Sequence, residues 1–336
     1  MMTPAISIVI PARNAAEWIG ETLHSVAHQT HPRSEVELLV VDDASTDDTP
    51  AIANRFLQEH ALAGRVISCQ KNVGVSAARN VGWRAASAPW VQFLDADDLL
   101  APAKLAHQAA YASKLPDEGA VIYSAWQRFG LHEGKWQPLG PTILPRVDDD
   151  AIVQLLIDER FWYMGPVLIR RAFLESVSGF DESLRLGEDS DLLLRIAMAG
   201  GRFQNAPSPE ALFFYRDTPG SLWRESVGSV EATRKLMGVW RRAEMFLRER
   251  DGGKLSAPVR RALVTLYSRD FEGLFEHDRE SFNAGLRWVR NLGATRPHSK
   301  SRSVRLLSRI IGYENAQMLR LSVRAFSRVR RSSPEV

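Results

Sequence analysis

Several features are scarce or missing in this 336-residue sequence, and each absence excludes a class of protein. A single cysteine, Cys69, rules out an intrachain disulfide framework and fits a reducing compartment. No stretch reaches the roughly 18 uninterrupted apolar residues that a membrane-spanning helix requires. The first residues have neither the basic segment nor the long apolar run of a secretory signal. The sequence therefore predicts a cytoplasmic protein.

The remaining composition is that of a globular protein, with 45% hydrophobic and 25% charged residues. The formal net charge is only +3, but residues 296–336 hold ten Arg or Lys against two Glu. Leu319, Val323 and Phe326 would form an apolar helix face within this basic tail. Three interpretations remain for it: a solvated basic face, a peripheral contact with an anionic membrane, or contact with a protein partner. A nucleic-acid partner is not expected, because no recognised binding module surrounds the tail.

Apolar, β-branched runs alternate with amphipathic segments in the first half of the chain. The strand-like runs are residues 5–12, 36–41, 65–70, 90–96 and 120–126. The helix-like segments are residues 17–30, 45–60, 75–87 and 101–114. Such alternation predicts an α/β fold, in which a mostly parallel sheet is flanked by helices.

The second half of the chain is organised differently. Residues 140–185 are irregular, with scattered proline and glycine, and 187–200 again has the pattern of a helix. Beyond about residue 225 the sequence is helical in character, with a joint at Asp-Gly-Gly-Lys (251–254). We therefore expect two domains: 1–225, and a helical C-terminal extension at 226–336 that includes the basic tail.

Charged residues follow three of the predicted strands. The first strand ends at Pro11-Ala12-Arg13, the second at Asp42-Asp43, and the fourth runs into Asp95 to Asp98. In parallel sheets of this kind, ligands bind beyond the carboxyl ends of the strands. The sequence thus predicts that these three segments meet at one edge of the sheet.

The acids at 95–98 form the pattern Asp-x-Asp, which can hold a hard divalent cation through oxygen ligands. A calcium EF-hand is excluded, because Leu100 and Ala106 stand where that loop needs glycine and glutamate. Taken alone, the motif is equally consistent with turn and helix-cap acids on a solvated edge.

Five blocks of sequence, in this order, resemble the family 2 glycosyltransferases with the GT-A fold. The blocks are SIVIPARNAAEWIGETLHSVAHQT, VELLVVDDASTDDT, GVSAARNVGWRAA, VQFLDADDLL and GEDSDLLLRI. The resemblance covers about residues 5–225, and the order of the blocks makes it more specific than any one of them.

The resemblance implies a set of site residues. Asp95 and Asp97 correspond to the ligands of Mg²⁺ or Mn²⁺, Asp189 to the general base and Glu188 to its neighbour. Asp43 corresponds to the acid that accepts a hydrogen bond from uracil. The full set of residues implied for nucleotide binding is Pro11, Ala12, Arg13, Glu17, Asp43, Arg79 and Ala96.

The resemblance also implies an activity: transfer of a sugar from a nucleotide sugar, expected to be UDP-linked, to a glycan or lipid-linked acceptor in surface polysaccharide synthesis. A separate metal-binding acid and base acid suit a single displacement that inverts the anomeric centre. A processive synthase is not expected, because Arg287-Trp288 lacks the preceding glutamine of the Gln-x-x-Arg-Trp motif.

One position departs from the family pattern. Relatives often continue Tyr-Arg-x-His, whereas this chain has Thr218 at the place of that histidine. The preceding Arg216 is expected to face the diphosphate. A non-catalytic module that binds a nucleotide sugar or a partner therefore remains as an alternative. A sugar nucleotidylyltransferase does not, because the loop after the first strand, PARNAAEW, has neither glycine nor lysine.

Other conspicuous residues receive simpler interpretations. A metal site at His24, His28 and His31 is not favoured, because a helix end separates the last from the others. Asp191 and Arg195 have the spacing of an ion pair along a helix. We expect Trp83, Trp90 and Trp126 to be core residues. Trp162 and Trp223, in the irregular part, are better candidates for the acceptor side.

Overall fold

The computed structural model describes residues 4–60, 62–132, 135–147, 150–158, 163–218, 229–272, 274–294, 297, 299, 301–311, 313–316 and 318. The chain divides into two compact units, Met1–Glu225 and Ser226–Val336. Most of the basic tail, including Leu319, Val323 and Phe326, lies outside the described residues, as do Trp162 and Trp223. Within the described part, no helix is both long enough and apolar enough to cross a membrane.

The first unit is built around a seven-stranded sheet. Its strands are β1 (Ile6–Ala12), β2 (Val36–Asp42), β3 (Gly64–Ser68), β4 (Trp90–Phe93), β6 (Gly119–Tyr123), β9 (Val167–Arg170) and β10 (Arg202–Asn205). They lie in the order β10-β6-β9-β4-β1-β2-β3. All neighbours are parallel except β9, which runs antiparallel to β4 and β6. The predicted α/β fold with a mostly parallel sheet is confirmed.

A smaller sheet of four strands was not predicted. It contains β5 (Leu99–Leu100), β7 (Trp126–His132), β8 (Lys135–Pro138) and β11 (Phe213–Arg216), in the order β5-β11-β7-β8. β7 and β8 are antiparallel, whereas β11 lies parallel to β7. This sheet brings β11 beside β5, directly after the acids at 95–98.

The helices of the first unit are α1 (Ile19–Ala27), α2 (Thr49–Glu59), α3 (Val75–Ala85), α4 (Lys104–Ala112), α5 (Ala151–Ile157), α6 (Arg171–Ser176) and α7 (Glu188–Met198). The second unit contains α8 (Val230–Arg250), α9 (Ala257–Glu272), α10 (Arg279–Asn291) and α11 (Arg302–Ile311). The joint predicted at 251–254 is confirmed, since Gly252 and Gly253 adopt φ angles of 64° and 85° between two helices.

The strand predicted at 120–126 is wrong, because two strands occupy that stretch. The Tyr123 carbonyl accepts from the Ala206 amide at 2.8 Å, and the Ala125 carbonyl from the Leu212 amide at 2.8 Å. The backbone thus leaves the large sheet after β6 and enters the small one at β7. A continuous apolar run could not reveal this change, because both strands are buried at this point.

A lysine lies buried on α4. Lys104 is fully buried, and its Nζ donates to Gln92 Oε1 and, at 2.6 Å, to Gln108 Oε1. Both partners are neutral amides, so burial lowers the pKa of Lys104 well below its usual value. The two glutamines in turn donate to the carbonyls of Gly165 and Pro166, which ties α4 to the segment before β9.

The lowered pKa of Lys104 predicts a pH dependence of stability. Between the folded-state pKa and the unfolded value of about 10.4, only the unfolded chain carries the proton. The free energy of unfolding therefore rises with pH across this window, by at most about 1.4 kcal/mol per pH unit. We expect denaturant unfolding between about pH 7 and pH 10 to show this rise in the free energy of unfolding for wild type. The control variant Lys114→Met, which replaces an exposed lysine, should show the same rise. Persistence of the full slope in Lys104→Met would contradict the assignment.

Candidate active site

The carboxyl ends of β1 and β2 meet side by side. Ala12 pairs with Asp42 in the parallel register, and the Ala12 carbonyl accepts from the Asp43 amide at 2.8 Å. Beyond them, Asn14 has a φ of 48° and accepts on Oδ1 from the Thr46 amide at 2.8 Å. These bonds fix the loop after β1 against the loop after β2.

Asp43 is held rigidly at this edge. Its Oδ1 accepts from the Val73 amide at 2.6 Å and its Oδ2 from the Gly74 amide at 2.9 Å. Asp43 as a whole residue is 4% exposed, and Gly74 adopts a φ of 89° that favours glycine. The carboxylate thus has one orientation, with its remaining lone pairs as hydrogen-bond acceptors.

The other residues predicted on this loop differ in exposure. Pro11 and Ala12 are buried, whereas Arg13 and Glu17 are exposed. Their positions follow from β1, whose seven residues are all buried and whose end delivers Arg13 to the surface. Arg13 and Glu17 are therefore accessible to solvent next to the end of β1.

The acids at 95–98 form a tight turn after β4. The Asp98 amide donates to the Asp95 carbonyl at 3.1 Å, and Thr22 of α1 donates from Oγ1 to the Ala96 carbonyl at 2.9 Å. Asp98 is buried and accepts on Oδ1 from the Arg216 amide at 2.8 Å. Asp95 and Asp97 keep partial exposure. The turn therefore separates a buried structural acid from two accessible ones.

Arg216, at the end of β11, holds the back of this turn. Its Nε donates to the Asp97 carbonyl at 2.6 Å and its Nη2 to Glu21 Oε2 at 2.6 Å. The guanidinium lies within 4.9 Å of three aromatic ring centroids, those of Trp18, Phe129 and Trp136. The sequence pattern does not indicate this aromatic enclosure, because β11 lies far along the chain both from Trp18 and from the paired strands β7 and β8 that carry the other two rings.

Thr218, the residue at the family's histidine position, also touches the turn. Its hydroxyl donates to Asp97 Oδ2 at 3.2 Å, and the residue is buried. A hydroxyl therefore contacts the carboxylate that the resemblance implies as a metal ligand.

The turn suits a divalent cation in charge and in ligand chemistry. Burial, followed by the neighbouring Asp95 carboxylate, raises the pKa of Asp97 to about 6. Because both burial and the Asp95 carboxylate disfavour the ionised form of Asp97, a cation bound at the turn would stabilise that form. In the described part of the chain, no group of three His, Cys, Asp or Glu side chains is arranged to hold a metal. Asp95 and Asp97 would therefore supply part of a coordination shell whose other ligands come from substrate or water.

Arg79 of α3 gathers three carboxylates. Its Nη2 donates to Asp95 Oδ1 at 2.8 Å, and its Nη1 donates to Asp189 Oδ1 at 2.8 Å and to Glu188 Oε1 at 3.2 Å. The Arg79 side chain is 3% exposed. Asp95 and Asp189, which are 94 positions apart in the sequence, thus lie within the span of one guanidinium.

Asp189 stands in the first turn of α7, after Gly187 with a φ of 75°. Burial raises its pKa well above the usual value, and the Arg79 guanidinium opposes that rise. A carboxyl with a raised pKa is a stronger base once ionised, as a proton acceptor requires. Asp191, on the same helix, pairs with Arg195 Nε at 2.7 Å, as its spacing predicts.

Three aromatic side chains, Trp126, Tyr163 and Tyr215, pack together beside these acids. The Tyr163 ring centroid lies 4.7 Å from that of Trp126 and 4.8 Å from that of Tyr215. Burial raises the pKa of Tyr163, with contributions from Asp98 and Asp189. Sequence reasoning missed both tyrosines, although Tyr215 directly precedes Arg216.

The remaining predictions concern tryptophan and histidine residues. Trp83, Trp90 and Trp126 are buried, as expected of core residues. His24 lies on α1 and His28 directly follows that helix, with their ring centroids 6.0 Å apart. Among the described residues, no group of three potential metal-binding side chains is found.

The chain is similar to known glycosyltransferases in sequence. The profile of the family described as Glycosyl transferase family 2 matches residues 7–174, half of the chain. Succinoglycan biosynthesis protein ExoO of Rhizobium meliloti (strain 1021) is 31% identical over 227 residues, covering 66% of this chain and 63% of that protein. Uncharacterized glycosyltransferase EpsJ of Bacillus subtilis (strain 168) is 30% identical over 225 residues, with the same shares. The match thus spans less than two thirds of these relatives.

Solved structures show the same fold. TarS 1–349 of S. aureus in complex with UDP-GlcNAc superposes with a TM-score of 0.64 at 21% identity, covering 96% of this chain and 92% of that one. Mannosyltransferase PcManGT from Pyrobaculum calidifontis in complex with GDP-Man and Mn²⁺ gives a TM-score of 0.55 at 20% identity, covering 95% and 87%. At these identities the likeness establishes the fold, and the expected GT-A architecture is confirmed.

Proposed function

Since the chain belongs to glycosyl transferase family 2, we propose that it is a metal-dependent, inverting, non-processive glycosyltransferase. Its donor is a nucleotide sugar, a UDP-sugar by preference, and its acceptor is a glycan or lipid-linked glycan of surface polysaccharide synthesis. One observation carries the proposal: the acid of the metal motif, Asp95, and the base candidate, Asp189, each lie 2.8 Å from the same arginine. A donor held at one acid is then within reach of the other.

The preference for uracil rests on Asp43. This carboxylate is fixed by two backbone amides and presents acceptors only. Uracil carries an N–H between its two carbonyls that can donate to such a group, whereas cytosine has an unprotonated nitrogen at that position. The TarS structure was solved with UDP-GlcNAc and that of PcManGT with GDP-Man and Mn²⁺, which supports a nucleotide-sugar donor and a divalent metal for this chain.

The acids of the site have different roles in the proposed reaction. A divalent cation bound at Asp95 and Asp97 would neutralise the charge that develops on the diphosphate leaving group. Asp189 accepts the proton of the acceptor hydroxyl as that oxygen attacks the anomeric carbon. The bond from this carbon to the diphosphate breaks on the opposite face, and its electron pair leaves with the nucleoside diphosphate. The configuration at the anomeric carbon is therefore inverted.

The test is release of UDP from a panel of UDP-sugars, with Mg²⁺ or Mn²⁺, in the presence and absence of glycan acceptors. We expect slow metal-dependent release without acceptor and faster release with a suitable one. The alternative, a non-catalytic module, is favoured only by the hydroxyl of Thr218 at the histidine position. Tight UDP-sugar binding without any release would favour that alternative and overturn the enzyme proposal.

Asp43→Asn should weaken UDP binding at least tenfold, which corresponds to about 1.4 kcal/mol. The substitution puts an amide N–H₂ group where the Val73 and Gly74 amides and the uracil N–H all need an acceptor. Calorimetric titration with UDP and CDP measures the effect. We expect wild type to prefer UDP, and the variant to lose most of that preference. Equal UDP affinity in both proteins would contradict the role of Asp43.

A further inference from the structure

Arg79 is enclosed by acids from two parts of the site. It lies in the middle of α3 and is 2% exposed. The Asp95 carboxylate approaches one end of its guanidinium, and the first turn of α7 approaches the other through Glu188 and Asp189. Burial alone would lower the pKa of Arg79, but these three acids hold it above its usual value. The guanidinium is therefore a permanent cation at the junction.

The geometry leaves Arg79 little capacity for a nucleotide. Both Nη atoms already donate to carboxylates at 2.8 Å, and Nε is buried without a partner in the described part of the chain. The Arg79 Cζ also lies 5.2 Å from the Phe180 ring centroid, so one face of the guanidinium is covered. These contacts indicate that Arg79 bridges two acids and does not bind the nucleotide.

Only an arginine can form this bridge. Its planar fork presents two Nη groups at a fixed separation, so that one side chain fixes two carboxylates relative to each other. A lysine would carry the same charge as a single point on a flexible stem. The positions of Asp95 and Asp189 are thus coupled by the shape of the group at residue 79, beyond its charge.

We infer that Arg79 is a positioning residue that sets the distance between the metal-binding turn and the proton-accepting Asp189. The inference rests on the proposed function and deepens it. The donor is held at Asp95 and Asp97, and the acceptor hydroxyl is oriented by Asp189. The rigid bridge keeps the attacking oxygen in line with the breaking bond, and misplacement of about 1 Å in such an arrangement can cost about 10²-fold in rate.

The test is Arg79→Lys, with UDP affinity and UDP-sugar turnover measured separately. We expect kcat to fall about 10²-fold, whereas the Kd for UDP with Mn²⁺ stays within about threefold of wild type. A parallel loss of UDP affinity would instead make Arg79 a nucleotide contact and overturn the inference. An unchanged kcat in the folded variant would show that the bridge is only a structural contact, and this result would also overturn the inference.

Arg170→Lys is the matched control. Arg170 is also a fork with several partners, donating to the Gly119 carbonyl at 2.7 Å and to the Pro116 carbonyl at 2.9 Å, but it contacts none of the site residues. We expect it to lose stability without loss of kcat. Equal kcat losses in both variants would show a general effect of the substitution and contradict the inference.

A double-mutant cycle tests the bridge without any turnover. The unfolding free energies of Arg79→Lys, Asp189→Asn and their combination should be non-additive, and the same should hold with Asp95→Asn. Additivity in both cycles would overturn the bridge, whatever the activity. Absence of turnover in wild type, together with coupled cycles, would overturn the proposed function and leave the bridge in place.

Discussion

Asp97→Asn should abolish the gain in UDP affinity that Mn²⁺ provides. We expect Mn²⁺ to tighten UDP binding to wild type at least tenfold, because the cation joins the diphosphate to the Asp-x-Asp turn. Asparagine keeps the size of the side chain and its contact with the Thr218 hydroxyl, but it removes the anionic ligand. Calorimetry with UDP, with and without Mn²⁺, measures both affinities for each protein.

Two further measurements make this result specific. Asp117→Asn removes a fully exposed acid and should leave the Mn²⁺ effect unchanged. Thermal unfolding without ligand verifies that the Asp97→Asn protein is folded. A tenfold or larger Mn²⁺ gain that survives in Asp97→Asn would show that the turn does not hold the metal.

Asp189→Asn should reduce turnover of a UDP-sugar by about 10²- to 10⁴-fold, the range typical of a lost general base. The amide cannot accept the acceptor's proton, although it occupies the same place beside Arg79. UDP affinity should stay within about threefold, because Asp189 acts on the acceptor. Steady-state rates of UDP release, taken with calorimetric Kd values, separate these two effects.

Asp191→Asn is the neighbouring control on the same helix. Asp191 is buried and paired with Arg195, so its replacement should lower stability. Turnover per folded molecule should remain within about threefold of wild type, since Asp191 is two residues from Asp189 and therefore lies on nearly the opposite face of α7. If Asp191→Asn lost as much turnover as Asp189→Asn, the loss would reflect damage to α7, and the base assignment would fail.

The sequence predicted which segments meet, because parallel strands end at one edge of a sheet. The ends of β1, β2 and β4 therefore bring Ala12, Asp42 and the 95–98 turn together, as the strand pairing shows. What the strand pattern could not supply was the direction of individual side chains. Asp98 turned out to be a buried acceptor for the Arg216 amide, although its charge and spacing resemble those of Asp97.

The bridge at Arg79 shows a second limit. Its partners lie 16, 109 and 110 positions away in the sequence. An arginine in the middle of a small-residue helix carries no local sign of such partners, because exposed helix positions also favour arginine. Arg79 is buried because α3 packs on β1 and β2, and because its side chain reaches the turn after β4 and the first turn of α7. The small sheet escaped prediction for a related reason, since β11 pairs with strands more than 80 residues earlier.

The stereochemistry of transfer tests the central claim most directly. The claim is that a donor held at the 95–98 turn is attacked from the side of Asp189 in a single displacement. We would follow the anomeric proton by NMR as wild type, at high concentration with Mn²⁺, releases or transfers sugar from an α-linked UDP-sugar. The account predicts that the first product, observed before mutarotation, has the β configuration. A first product that retains the α configuration would contradict it.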